Sequence, residues 1–196
     1  GQGGGPHVQA FSGQNYSNIA SFFAYNPAFT GGISVASGDV NGDGYSDVVV
    51  GAGPGGGPHV LAVSGLQISQ GTQVVLASFF AFDPGINQGV FVGAGDYNGD
   101  IVSDIVVAAG PGGSPHIKVF NGSGTSLIDS FFAYDIYAMG GLSVAMADIN
   151  NDGVAEIITA PYTNGSPEVK VFRYQKGQLF NFYAYDPLFT GGVFVG

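Results

Sequence analysis

The sequence predicts an all-β protein assembled from repeated units of four short antiparallel strands, and three observations carry that prediction. The 196-residue chain matches itself at intervals near fifty residues: the His7 column returns at His59, His116 and Glu168, after 52, 57 and 52 residues. Short runs rich in Val, Ile, Phe and Tyr are separated by Gly, Pro, Asn and Asp turn signals every 8 to 15 residues. No apolar stripe of 3.6-residue period is long enough for a helix. A period of this length holding four strands is that of a β-propeller blade, which buries its faces only against neighbouring blades.

Taken in order, residues 1–28 form a partial blade, 29–84, 85–136 and 137–187 form three complete blades, and 188–196 form the first strand of a further one. One blade is thus split between the termini, so the chain is expected to belong to a longer array or to a ring completed by another copy. In the first complete unit, Gly32 to Ser37 alternates small and apolar residues and Asp47 to Ala52 is Val-rich. His59 to Ser64 then follows a Gly/Pro turn, and Val75 to Phe82 stops at Asp83-Pro84. The small residues Gly31, Gly32, Ala36 and Gly38 suit the narrow centre where blades converge, and the aromatic columns headed by Phe22, Phe23 and Tyr25 suit the wide rim. Gly65 to Gln73 is about five residues longer than its counterparts, which marks it as a surface loop.

Between the first two strands of each unit lies an acidic loop. Asp39, Asn41, Asp43 and Asp47 stand at positions 1, 3, 5 and 9, with the carbonyl of Tyr45 available at position 7 and Gly44 free to turn left-handed. Asp96, Asn98, Asp100 and Asp104 repeat the pattern with the carbonyl of Val102, and Asp148, Asn150, Asp152 and Glu156 repeat it with that of Val154. Oxygen donors without Cys, Met or His point to calcium, about three ions, rather than to zinc or copper. The EF-hand is excluded, because Val50, Val107 and Thr159 stand where its bidentate glutamate belongs. The competing reading, acidic turns closed by their own Asx hydrogen bonds, stays open. Two departures matter. Ile101 replaces a glycine, so its loop is expected to bend differently or bind more weakly, and Glu156 replaces the closing Asp with a longer carboxylate.

The run Asp47-Val-Val-Val-Gly-Ala-Gly-Pro-Gly-Gly56, preceded by its acidic loop, resembles the FG-GAP repeat of integrin α subunits and the related VCBS-type repeats of bacterial secreted and cell-surface proteins. The resemblance covers essentially the whole chain. It implies a calcium-binding propeller, with one ion in the hairpin between the first two strands of a blade. The ligand sets that carry over are those just named.

Composition narrows the function. Fourteen acidic residues face four basic ones, for a net charge of -10, and nine of the acids sit in the three loops. Three divalent ions would bring the net charge to about -4, which couples folding to metal loading. Lys118, Lys170, Arg173 and Lys176 make no basic stripe, so nucleic acid is an unsuitable partner, and no apolar run is long enough to insert in a membrane. There are no cysteines. His7, His59 and His116 occupy one repeat column, which favours a repeated hydrogen-bonding role over a shared metal or catalytic site. Gly53 to Pro58 lacks the Lys-Ser/Thr of a phosphate loop, and its glycines make a turn. The expected protein is a noncatalytic, calcium-binding, extracellular or cell-surface module with a structural, adhesive or interaction role. Its partners would be other copies, neighbouring repeats, or a protein or glycan ligand. A carbohydrate-binding propeller and an accessory domain of a secreted enzyme are the alternatives.

Overall fold

Gly/Pro turns and alternating β-branched runs give fourteen strands and one short helix among the described residues. The computed structural model describes residue 1 and residues 3–196. The strands β1 (His7–Phe11) and β2 (Asn18–Phe23) form a two-stranded sheet. The first four-stranded sheet follows the chain as β3 (Ile33–Gly38), β4 (Asp47–Ala52), β5 (His59–Val63) and β6 (Val75–Phe80). The second is β7 (Val90–Gly95), β8 (Asp104–Ala109), β9 (His116–Phe120) and β10 (Leu127–Phe132). The third is β11 (Leu142–Ala147), β12 (Glu156–Pro161), β13 (Glu168–Arg173) and β14 (Gly177–Tyr183). Every pairing among the described residues is antiparallel between strands consecutive in the chain, so each four-stranded sheet is a meander with the form of a propeller blade.

The core lies between blades, not within them. Val49, Val60 and Ala62 of one blade pack with Val90, Val92, Ile105 and Val107 of the next, and Val106, Ile117 and Val119 of that blade pack with Leu142, Val144 and Ile157 of the third. Neighbouring blades approach closely at the inner strands: a Cβ at Gly38 would lie 2.8 Å from Ser103 Oγ and 3.0 Å from Ala94 Cβ. Blades are also latched by polar side chains. The Tyr25 hydroxyl lies 3.2 Å from the carbonyl of Val50 and 3.1 Å from that of His59, and the Tyr134 hydroxyl spans Thr159 and Glu168 in the same way at 2.8 Å each.

Two expectations need correction. The longer connection after β5 is not a plain loop: Gly65–Ser69 forms a single-turn helix α1, capped by Ser64 and anchored by the buried Ile68. Five residues are too few to show a periodic stripe, so the cap carries the signal. Residues 188–196, expected to be the first strand of a further blade, lie against the third blade through Val193 N–H to the Pro161 carbonyl and through Ser143 Oγ, which contacts both N–H and C=O of Val195. They form no strand, because no neighbouring strand pairs with them.

Candidate metal centres

Each acidic loop is the hairpin joining the first two strands of a blade, and its ninth residue is the first residue of the second strand. That register pulls the closing carboxylate inward: Asp47, Asp104 and Glu156 are 0%, 1% and 0% exposed. Burying a carboxylate without partners is expensive, so each is met by donors. Asp47 accepts from the N–H of Val40 at 3.0 Å and of Gly65 at 2.9 Å. Asp104 receives the N–H groups of Tyr97 and Asn98 on one oxygen, at 3.1 and 3.2 Å.

The outer ligands form a second tier. Asp39 accepts from Gly42, Asp43 and Gly44, and Asp96 accepts likewise from Gly99, Asp100 and Ile101, at 2.7 to 3.1 Å. These bonds fold the loop back over its first residue. Burial raises the Asp39 carboxyl, but the N–H groups of Gly44, Gly42 and Asp43 outweigh it and hold the group below the ordinary carboxylate range. At the ninth position the balance reverses. Burial, aided by Asp43 and Asp39, raises Asp47 despite its two N–H donors. Burial followed by the charge of Asp100 pushes Asp104 up to about 7.

Ile101 corrects one expectation. Its loop does not bend differently: Ile101 adopts φ 69°, matching Gly44 at 85°, and its N–H reaches Asp96 at 2.7 Å as that of Gly44 reaches Asp39 at 2.8 Å. The side chain is 90% exposed, so the strain stays in the backbone.

In the first two hairpins the donor set fits a hard divalent cation. A carboxylate offers about four acceptor positions; hydrogen bonds take three on Asp39 and two on each of Asp43 and Asp47, with the same distribution on Asp96, Asp100 and Asp104. Among the described residues no three His, Cys, Asp or Glu side chains converge as a metal shell, so an ion here must also draw on the amide oxygens of Asn41 and Asn98 and the carbonyls of Tyr45 and Val102. A cleft of about 410 Å³ lined by Asn41, Asp100 and Asp104 lies between these two hairpins.

The third hairpin differs. Arg173, at the end of β13, donates from Nη2 to Asp152 Oδ2, and its Nε lies 3.7 Å from Glu156 Oε1. Glu156 also accepts from Ile149 N–H at 3.1 Å and from Asn150 Nδ2 at 2.9 Å. Two of the three carboxylates of this hairpin, Asp152 and Glu156, already face a cation, so the arrangement at 148–156 suits a divalent ion less well than that of the first two hairpins. Sequence reading missed Arg173 as a site residue. The signal was present, since one of four basic residues stands in the column of Ser64 and Asn121, beside an acidic loop.

The histidine column has the role expected from its repetition. Nε2 of His7, His59 and His116 lies 2.9, 3.1 and 2.8 Å from the hydroxyl of Ser21, Ser78 and Ser130 on the adjacent strand, and Asn181 Nδ2 donates to Glu168 in the fourth copy.

A family model described as an FG-GAP repeat matches residues 31–65, spanning the first hairpin, and one described as an FG-GAP-like repeat matches residues 96–159, spanning the other two. The chain is an FG-GAP-type repeat protein. No curated protein matches its sequence. Among solved structures, the FG-GAP chain is similar to the rhamnogalacturonan lyase YesW, with a TM-score of 0.49 and 12% identity over 91% of this chain. It spans 37% of that protein's length.

Proposed function

We propose that this FG-GAP chain is a noncatalytic, calcium-stabilised module of an extracellular or cell-surface protein, serving as a scaffold for adhesion or protein interaction. The observation that carries the reading is the hairpin pair 39–47 and 96–104, where oxygen donors with unspent acceptor capacity surround a buried carboxylate. When bound, a calcium ion supplies two positive charges between carboxylates that otherwise repel. The chain's own residues do the rest: Asp39 and Asp96 fold the loop through backbone N–H groups, and Asp47 and Asp104 tie it to the second strand. Plain oxygen loops of this kind stay filled at the millimolar calcium found outside cells, which favours that location. No helix among the described residues is long and apolar enough to cross a membrane.

The noncatalytic reading is supported by the histidines, each engaged with a serine of its own sheet. Association with further blades, from neighbouring repeats or other copies, is supported by the outer strand β14, which is exposed along its whole length and carries Phe180, Phe182 and Tyr183. The test is calorimetry in millimolar calcium and in EDTA. Calcium should raise the melting temperature and bind with saturable heat. Equal melting temperatures and no heat of binding would leave only turns closed by Asx hydrogen bonds.

A further inference from the structure

We infer that the third hairpin is neutralised by Arg173 in place of a metal ion, so that the chain takes two calcium ions and not the three its repeats suggest. The inference rests on the calcium reading of the other two hairpins. The repeat register aligns Arg173 with Ser64 and Asn121, one residue beyond Val63 and Phe120. Neither of those side chains carries charge. In the first blade this turn contributes a backbone donor to the buried carboxylate, Gly65 N–H to Asp47; in the third it contributes a guanidinium.

Three details of the hairpin have shifted with it. First, Arg173 bridges positions 5 and 9, the Asp152 and Glu156 carboxylates, from a site where its side chain is 23% exposed and that of Glu156 is 0% exposed. A partly buried guanidinium between two carboxylates is a charge-assisted arrangement, stronger than an exposed pair. Secondly, the position 3 amide has changed partner. Asn41 and Asn98 donate to Asp43 and Asp100 at 3.0 Å and accept the N–H of those same residues at 2.9 Å. Asn150 instead donates to Glu156 Oε1, placing its amide N–H beside the buried carboxylate. Thirdly, the closing residue is Glu and not Asp, and the added methylene lets one carboxylate meet Ile149 N–H, Asn150 and Arg173 together.

A divalent ion brought to these oxygens meets a fixed positive charge already on them. Like charges at such separation repel by several times the thermal energy even at the effective dielectric of a protein surface. The ion must therefore expel Arg173 before it binds, whereas among the described residues no cationic side chain pairs with the first two hairpins.

Calcium stoichiometry by native mass spectrometry, with titration calorimetry alongside, tests this on the full chain. Wild type should carry two ions and Arg173→Ser three, because serine restores the residue of the first blade. In EDTA, Arg173→Ser should lower the melting temperature more than Lys176→Ser at an exposed position, and calcium should recover the loss. Arg173→Lys keeps the charge and should keep two ions, which guards against a serine variant that folds poorly. Three ions on wild type, or no third ion on a folded Arg173→Ser, would overturn the inference while leaving the calcium reading intact. No ion on either protein would overturn both.

Discussion

The hairpins 39–47 and 148–156 put the same problem to the chain and receive different answers. In both, a carboxylate at the head of a blade's second strand is fully buried, and something must compensate its charge. In the first, the protein offers two backbone N–H groups and leaves acceptor positions unspent. In the third, it supplies its own cation from the end of the third strand. A repeated fold therefore fixes where the charge sits without fixing what balances it. The balancing group enters from whichever residue the next turn places beside the loop.

The largest effect that separates the two answers should come from neutralising the buried acids under two conditions. Glu156→Gln removes one of the two carboxylates that Arg173 faces, leaving Asp152 alone, and should cost about 2 kcal/mol, equally in calcium and in EDTA. Asp47→Asn should lose most of its effect in EDTA and cost about 2.7 kcal/mol when calcium stands at about a hundred times its dissociation constant. Urea denaturation of both variants in both buffers reads the contrast. A calcium-dependent loss for Glu156→Gln would break it.

Much of this was legible in the residues. The 52- and 57-residue spacings gave the blades, and the recurring Asp and Asn at odd loop positions gave the hairpins, because both are periodic. What escaped is aperiodic or long-range. Arg173 occurs once and acts across 21 residues on Asp152. The helix α1 rests on one serine cap and one buried isoleucine. The column headed by Tyr25 reads as rim packing, and nothing in one blade's sequence reports which carbonyls the next blade presents to Tyr25 and Tyr134.

The second hairpin allows a smaller, pH-dependent test. Asp104 binds its proton more tightly folded than unfolded, with a folded value of about 7 against 3.8, caused first by burial and then by Asp100. Without calcium, its contribution to stability therefore grows as pH falls through 7 toward 4, and it disappears in Asp104→Asn. His59 and His116, whose values burial lowers from 6.5, pull the other way as pH falls, so the difference between the two proteins is the quantity to read. In EDTA, melting temperatures between pH 8 and 5.5 should not run parallel: wild type should gain on the variant as pH falls. In calcium, the relation reverses, because protons then compete with the ion for Asp104. Parallel curves in EDTA would remove the distinction between this carboxylate and an ordinary exposed one.

The smallest effect should come from Ile101, and it tests whether the second hairpin is held open by its donors or by its own backbone preference. A β-branched residue at φ 69° stores roughly 1 to 2 kcal/mol relative to glycine, and nothing in the side chain's surroundings returns it, since the isoleucine is 90% exposed. The geometry persists because Asp96 accepts the N–H groups of Gly99, Asp100 and Ile101 together, three bonds that a flattened loop would forfeit. Ile101→Gly should therefore stabilise the protein by about 1 kcal/mol, the strain relief less the entropy glycine loses on folding. If the strained loop is already in its binding shape, the calcium affinity of this hairpin should rise by less than that stability gain. An affinity gain larger than the stability gain would mean that the isoleucine pulls the loop out of shape before the ion arrives, and would make the second hairpin weaker than the first for a reason located in a single dihedral angle.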